Sequence, residues 1–573
     1  MKKLLSVLLV FFLMVSLGGV TPGKAESQTL EVDEQLTSVL SKVSNSTLVE
    51  AVITYDTMPT VEQITFLKGL GLQTKTFKNL PMVAVKGTKV QLENVVSSSI
   101  DAVSIYYNKK LDFLLRDSRA LVGAEKVWND LGYTGKGSTV AVIDSGIDAT
   151  HPDLPFGEKV VQNVKFLVGS GFFSDEALYL ENVLNTDTSS GHGTHVAGTI
   201  AGSGTASEGL YKGIAPDAKL VGLGTGEGIN ILWSLEAFDY VLEHQEEYGI
   251  DVISNSWGTT GEYSPNNPIN VASKKAHDAG MVVTFAAGNE GPSDNTLNPY
   301  SAAPWVISVA AGTKDKKLAD FSSRGVANDE FLHPDITAPG VDIVATKSST
   351  GVVMNSLGSI TDVDYIAPEH LPYYTTASGT SMATPHISGI VALMLEAQPE
   401  LHPDVVLELL EKTADPMEGY QYHEVGAGYV NAYEAVAVAE KTSAKIGKYR
   451  DKQTGKTYDT YFVDETWNGS IGVGVSEAGA SSHDYYDIIL DSGAVSLKTK
   501  IEWLSPTNDL DLYVRDEQGT LVGSSGNAVS TTEETFTPEV LAGTYTVDVE
   551  GWLNTIENYT GTYTVEYIVK NGK

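Results

Sequence analysis

The stretch Val140-Ala141-Val142-Ile143-Asp144-Ser145-Gly146 decides how this chain folds. Four apolar residues in an unbroken run, three of them β-branched, describe a strand buried on both faces, as strands of parallel sheets are. A carboxylate ends the run at the carboxyl end of the strand, where open α/β sheets place their sites. Taken alone, such an aspartate is more often a turn or helix N-cap residue. Similar apolar runs recur at 218–223, 251–254 and 281–286. They alternate with helical stretches such as 231–248 and 270–279. That alternation predicts an α/β domain over 116–440, a mostly parallel sheet flanked by helices.

On either side the pattern changes. Within 26–115 the chain reads as a strand at 48–55, a helix at 61–70, and two strands over 73–86 around Asn79-Leu80-Pro81. A helix at 90–96 and a strand at 102–107 complete a small α+β unit of β-α-β-β-α-β order. Residues 108–119 are basic and aperiodic, as a linker or cleavage segment is. From 441 to 573 helices vanish, and short alternating strands at 485–490, 495–503, 511–515, 543–549 and 561–569 predict an all-β sandwich or jelly roll. At the other end, Lys2 and Lys3 precede an apolar run over 4–17, and small residues Gly23 and Ala25 follow. This is the pattern of a secretory signal over 1–25. The run is shorter than the ~20 residues a membrane span requires, so a soluble, extracellular product is expected, and a monomer is expected with it.

Composition narrows the function. A length of 573 residues allows about three to five folded units. With 42% apolar and 19% charged residues, wholesale disorder is excluded. Acids outnumber bases 73 to 38, a net charge of −35. Loss of the signal removes Lys2, Lys3 and Lys24 and no acid, which deepens the imbalance. So acidic a chain repels phosphate backbones and argues against a nucleic-acid partner. There is no cysteine, hence no disulfide, thiolate metal site or thiol nucleophile.

Three more segments carry candidate chemistry. His192 lies in Gly191-His192-Gly193-Thr194-His195-Val196-Ala197-Gly198, where glycines permit close backbone approach. A zinc reading of its two histidines fails on their offset of three, the missing glutamate and the absence of thiols. His195 reads as a satisfied structural histidine. Ser381 lies in Ser378-Gly379-Thr380-Ser381-Met382-Ala383-Thr384-Pro385-His386, ahead of an apolar helix. A helix N-terminus favours negative charge, which suits an oxyanion, but an N-cap serine is also common there. A serine hydroxyl needs a base within hydrogen-bond reach, and that base needs an orienting carboxylate. Asp144, His192 and Ser381 supply the three types in that order. Asn289, in Ala286-Ala287-Gly288-Asn289-Glu290-Gly291, follows another buried run and offers an amide donor for the oxyanion.

Together, Val-Ile-Asp-Ser-Gly, Gly-His-Gly-Thr-His-Val-Ala-Gly, Ala-Gly-Asn-Glu-Gly and Gly-Thr-Ser-Met-Ala-Thr-Pro-His closely resemble the motifs of the subtilisin-like serine peptidases, the subtilase family. The resemblance implies a secreted endopeptidase that cuts protein or peptide substrates through an acyl-enzyme and requires no cofactor for its chemistry. It implies that Asp144 orients His192, that His192 is general base and then general acid, and that Ser381 is the nucleophile. Asn289 and the backbone N–H of Ser381 would form the oxyanion hole. Segments 254–258 and 286–288 match those bordering the pocket for the residue before the cut. Neither carries charge, so a neutral, apolar residue is expected there. Phe321-Ser322-Ser323-Arg324-Gly325 and Ala338-Pro339-Gly340 are further family-like landmarks.

Residues 48–107 are similar to the family's inhibitor propeptide, which implies folding assistance, inhibition and self-cleavage near 108–118. The C-terminal unit resembles β domains appended to secreted peptidases, through Asp484-Tyr485-Tyr486, Asn508-Asp509-Leu510-Asp511-Leu512-Tyr513 and Ala542-Gly543-Thr544-Tyr545. Such domains are often calcium-bound or removed during maturation. Asp509 and Asp511 alternate on a strand and could share one calcium ion, or simply line a solvated face. Two stretches depart from the family. Residues 201–213 differ from the calcium loop of many subtilisins, so that site is not carried over, although Asp153 matches one of its carboxylates. Residues 346–376 are longer than in compact members, as a lid, a surface loop or an ion site. A silent binding protein on the same fold is the rival reading, and the intact set of four residues argues against it. An α/β-hydrolase esterase would show Gly-x-Ser-x-Gly in the order Ser, Asp, His. Here Ala383 stands two after Ser381 and the order is Asp, His, Ser.

Overall fold

The computed structural model describes residues 30–569 apart from 79, 99, 109–117, 168–177, 227–228, 330–331, 359–360, 453 and 476–478. The expected export signal and most of the expected cleavage segment lie outside the described residues. The chain divides into two compact units, Met1–Asp112 and Phe113–Lys573.

The first unit runs β1 (Glu31–Val32), a helix over Glu34–Lys42, β2 (Leu48–Thr54), a helix over Val61–Gly69, β3 (Gln73–Thr76), β4 (Met82–Thr88), a helix over Lys89–Ser97 and β5 (Ser104–Tyr107). The strands form one sheet in the order β1-β5-β2-β4-β3. Leu36, Ile53, Leu67, Leu92 and Ile105 fill its core. Thr60 and Thr88 each start a helix with a capping box, closed by Gln63 and Gln91. The six-element expectation omits β1 and the helix over Glu34–Lys42. That helix is only nine residues long, yet Leu36 and Leu40, one turn apart, are both buried.

The second unit is built on an eight-stranded sheet: β6 (Thr139–Asp144), β7 (Val160–Phe166), β8 (Tyr179–Leu180), β9 (Lys219–Gly224), β10 (Ile250–Asn255), β11 (Val282–Ala286), β12 (Ile307–Gly312) and β13 (Ile336–Pro339). The spatial order is β13-β12-β11-β10-β6-β9-β7-β8, parallel except for the β7–β8 pair. Every residue of β6 is buried. Its alternation divides the core in two. Val140 and Val142 face the helices His192–Ala201 and Thr380–Ala397, while Ala141 and Ile143 face Ile231–Tyr248 and Pro268–Asp278. Because β9 and β10 flank β6, the crossovers diverge around it and open a crevice at its carboxyl end. A hairpin of β14 (Ile343–Thr346) and β15 (Tyr374–Ala377) leads into the Thr380–Ala397 helix.

After the helix Ala432–Lys441 the chain is all β. It forms β16 (Gly447–Arg450), β17 (Thr457–Ile471), β18 (Gly474–Val475), β19 (Ser482–Leu490), β20 (Ala494–Trp503), β21 (Asp509–Arg515), β22 (Leu521–Ser525), β23 (Thr532–Pro538), β24 (Gly543–Asn554) and β25 (Glu557–Ile568). They make two antiparallel sheets, β16-β17-β25-β20-β23 and β18-β24-β21-β22, with β19 also on β24. The junction with the α/β part is a seam. Thr442 is buried, Gln398 Nε2 donates to its carbonyl at 2.9 Å, and Lys412 pairs with Asp491 at 2.9 Å and stands 3.7 Å from the Tyr567 ring. One continuous core runs from Val436 and Ala439 to Tyr461 and Tyr567.

Candidate active site

Asp144 ends β6 and is 3% exposed. His192 opens the helix His192–Ala201, and its Nδ1 lies 2.8 Å from Asp144 Oδ1. The close approach depends on Gly193, where a β-carbon would stand 2.2 Å from the Gly146 carbonyl oxygen. Asp144 Oδ1 also accepts from Ser145 N–H at 2.7 Å, while its Oδ2 is buried without a protein partner.

Ser381 is the second residue of the helix Thr380–Ala397. Its hydroxyl donates to the Ser256 carbonyl at 2.8 Å. Ser256 directly follows β10, and Asn255 pairs with Ile143, the residue before Asp144. The nucleophile candidate therefore sits one strand over from the acid–imidazole pair, at the same carboxyl end of the sheet. Neighbouring strands lie about 4.8 Å apart. Asn289 Oδ1 accepts from Thr380 N–H at 2.9 Å and from the Thr380 hydroxyl at 3.0 Å. With Oδ1 so held, Nδ2 is the amide's donor end. Asn289 and Ser381 line one cavity of about 350 Å³, walled by Trp257–Gly258, Ala286, Gly288 and Asn298. Asn298 ties the two walls together, donating to the Trp257 and Ala286 carbonyls at 3.1 and 3.0 Å. Glu290 also lines the cavity, a carboxylate outside the two uncharged segments that sequence assigns to it.

Asp187, which nothing in the sequence marks out, is fully buried. Its Oδ1 accepts from Gly191 N–H at 2.8 Å and the Ser145 hydroxyl at 3.1 Å. Its Oδ2 accepts from Thr194 N–H at 3.1 Å and the Thr194 hydroxyl at 2.6 Å. It thus ties the turn before His192 to the end of β6. No helix-start signal marked it, because the N-cap is Gly191 and the first turn carries no acid.

His195 is neutral. Burial pushes its pKa down to about 4. Nε2 donates to the Ile343 and Thr375 carbonyls, but Nδ1 is buried without a partner, so it is only half satisfied. At Asp153 both carboxylate oxygens are taken by protein donors, Ala206 N–H at 2.8 Å and the Tyr374 hydroxyl at 2.7 Å. Tyr374 belongs to the long 346–376 segment, which therefore packs onto Asp153. The same segment holds a helix over Val352–Gly358 and is pinned by buried Asp148 and Asp362.

Asp509 and Asp511 do share one face of β21. Burial and neighbouring carboxylates raise both pKa values, Glu533 acting on Asp509, and Asp509, Glu550 and Glu533 on Asp511. Asp511 Oδ2 accepts from the Tyr513 hydroxyl at 3.0 Å, and Asp509 Oδ1 is buried without a partner. Among the described residues no three His, Cys, Asp or Glu side chains converge as a metal site. The pair alone supplies fewer oxygens than the six to eight a calcium ion takes. No helix among the described residues is long and apolar enough to cross a membrane.

Residues 135–474 match the family model described as the subtilase family. Serine protease AprX of Bacillus subtilis (strain 168) is 34% identical over 382 residues, covering 63% of this chain and 80% of that protein. Subtilisin E of the same strain is 32% identical over 383 residues, covering 62% and 86%. Among solved structures, Sphericase matches 54% of this chain and 97% of its own, at 28% identity and a TM-score of 0.42.

Proposed function

Because the chain belongs to the subtilase family, we propose that this serine peptidase is exported, is made as an inactive precursor, and frees itself with the site described above. The observation that carries the reading is the 2.8 Å contact of His192 with Asp144, on the strand next to the one whose Ser256 holds the Ser381 hydroxyl. The hydroxyl leaves the Ser256 carbonyl and turns to His192, which takes its proton as Ser381 Oγ bonds to the substrate carbonyl carbon. Asp144 holds the imidazole in register and offsets its charge. The oxyanion accepts from Asn289 Nδ2 and Ser381 N–H, donors fixed before the charge appears. His192 then passes the proton to the departing amine, and water repeats the sequence on the acyl-ester.

In this reading the N-terminal unit is the inhibitor propeptide, and cleavage falls within 108–118. The all-β part is a sandwich that stays attached. A calcium ion would be held by Asp509 and Asp511, which share one face of β21. The cavity beside Ser381 takes a neutral side chain. The test is the mass of secreted protein from a peptidase-free host. Wild type loses residues 1–25 and the N-terminal unit, whereas Ser381→Ala loses only the signal. A fully processed Ser381→Ala protein contradicts self-cleavage.

A further inference from the structure

The helix Val352–Gly358 lies against the turn that carries His192. Met354 N–H donates to the Ser190 carbonyl at 2.9 Å and Val353 N–H to the Ser189 carbonyl at 3.3 Å. Met354 is buried, and its β-carbon stands 3.1 Å from where one on Gly191 would lie. The approach to the helix is fixed as well. The Thr350 and Ser348 hydroxyls donate to the Asp187 carbonyl at 2.8 and 3.0 Å, and Ser349 is held by Asp148. A short segment anchored so firmly nevertheless exposes Val352 (68%), Val353 (44%) and Leu357 (67%). No charged residue occurs in 348–358, in a chain of net charge −35. An exposed apolar shelf in such surroundings marks a contact surface.

Its position names the occupant, given the peptidase reading above. The cavity of about 350 Å³ lies on the Trp257–Asn289 side of Ser381 and takes the residue before the cut. His192 must reach the departing amine, so the chain after the cut passes over the His192 turn, where this helix sits. We infer that the helix is a shelf for the substrate segment downstream of the scissile bond and that it selects apolar side chains there.

The test uses wild type and a Val353→Ser/Leu357→Ser double variant, both changes at exposed positions. Internally quenched peptides share one upstream sequence and carry either Leu-Val-Leu or Ser-Gln-Ser downstream. A p-nitroanilide of the same upstream sequence lacks a downstream residue. Wild type should favour the apolar peptide by about tenfold in kcat/KM. The variant should reduce that ratio to about twofold and leave the nitroanilide unchanged. A wild-type ratio near one, or a variant that keeps the full ratio, overturns the inference. An unchanged ratio with an altered sedimentation coefficient assigns the shelf to a second copy of the chain instead. Wild type that cuts the nitroanilide but shows no downstream preference sinks only this inference. Wild type that cuts neither substrate sinks the peptidase reading and this one with it.

Discussion

Asp187 meets four donors around the His192 turn, and Asp187→Ala leaves them without an acceptor. Each buried orphan costs about 1–3 kcal/mol, and misplacement of the imidazole by even part of that lowers kcat about tenfold. KM for a short substrate should stay within about twofold, because the cavity walls do not depend on Asp187, and Asp187→Asn should recover part of kcat. A fall in Tm with unchanged kcat would make Asp187 purely structural. At the cavity, Glu290→Gln should raise kcat/KM for a peptide with glutamate before the cut by about fivefold, from relief of about 1 kcal/mol of like-charge repulsion. No change would place Glu290 outside the substrate's reach. Asp144, His192, Ser381 and Asn289 were legible because each follows or opens an apolar run with small residues beside it. Asp187 was not, because it acts on backbone donors within a polar loop, where no periodic pattern marks a buried acid.

At the scale of elements, His277 joins two helices end to end. Its Nε2 lies 3.0 Å from Asp404 Oδ1 at the start of Pro403–Lys412, and its Nδ1 lies 3.4 Å from Asp278 Oδ1. Burial pushes its pKa down, but the two carboxylates outweigh burial and hold it above the ordinary value. A raised histidine stabilises fully below its unfolded value, about 6.5, and that stabilisation is lost as pH rises through the higher folded value. Tm of wild type should therefore decline from pH 6 to pH 9 more steeply than that of His277→Gln, followed by calorimetry. Parallel curves would remove His277 as the cause. The parallel strands β6, β9, β10 and β11 and the long helices were readable because burial on both faces, or a helical period over many residues, leaves a long signal. The helix Glu34–Lys42 was not, since it lacks the Thr-x-x-Gln start that marks the equally short Val61–Gly69 and Lys89–Ser97, and Val352–Gly358 was not, since it exposes most of its apolar residues.

For the whole molecule, the seam at Thr442 predicts that the α/β and all-β parts melt together. Truncation after Lys441 would bare the apolar face that Tyr461 and Tyr567 cover, lower Tm and raise binding of a hydrophobic dye. Lys412→Ala should cost about 1–2 kcal/mol through its lost ring and carboxylate contacts. Two separate calorimetric transitions, unaffected by Lys412→Ala, would make the parts independent. Calcium added to the protein should raise Tm, and Asp509→Ala should abolish the rise, while equal Tm with calcium and with EDTA removes that site. The most direct test of the central arrangement is covalent labelling by a fluorophosphonate, read by peptide mass mapping. One adduct is expected, on Ser381, formed by wild type and lost or slowed at least a thousandfold in His192→Ala. Labelling of another serine, or of Ser381 at the same rate without His192, would contradict it.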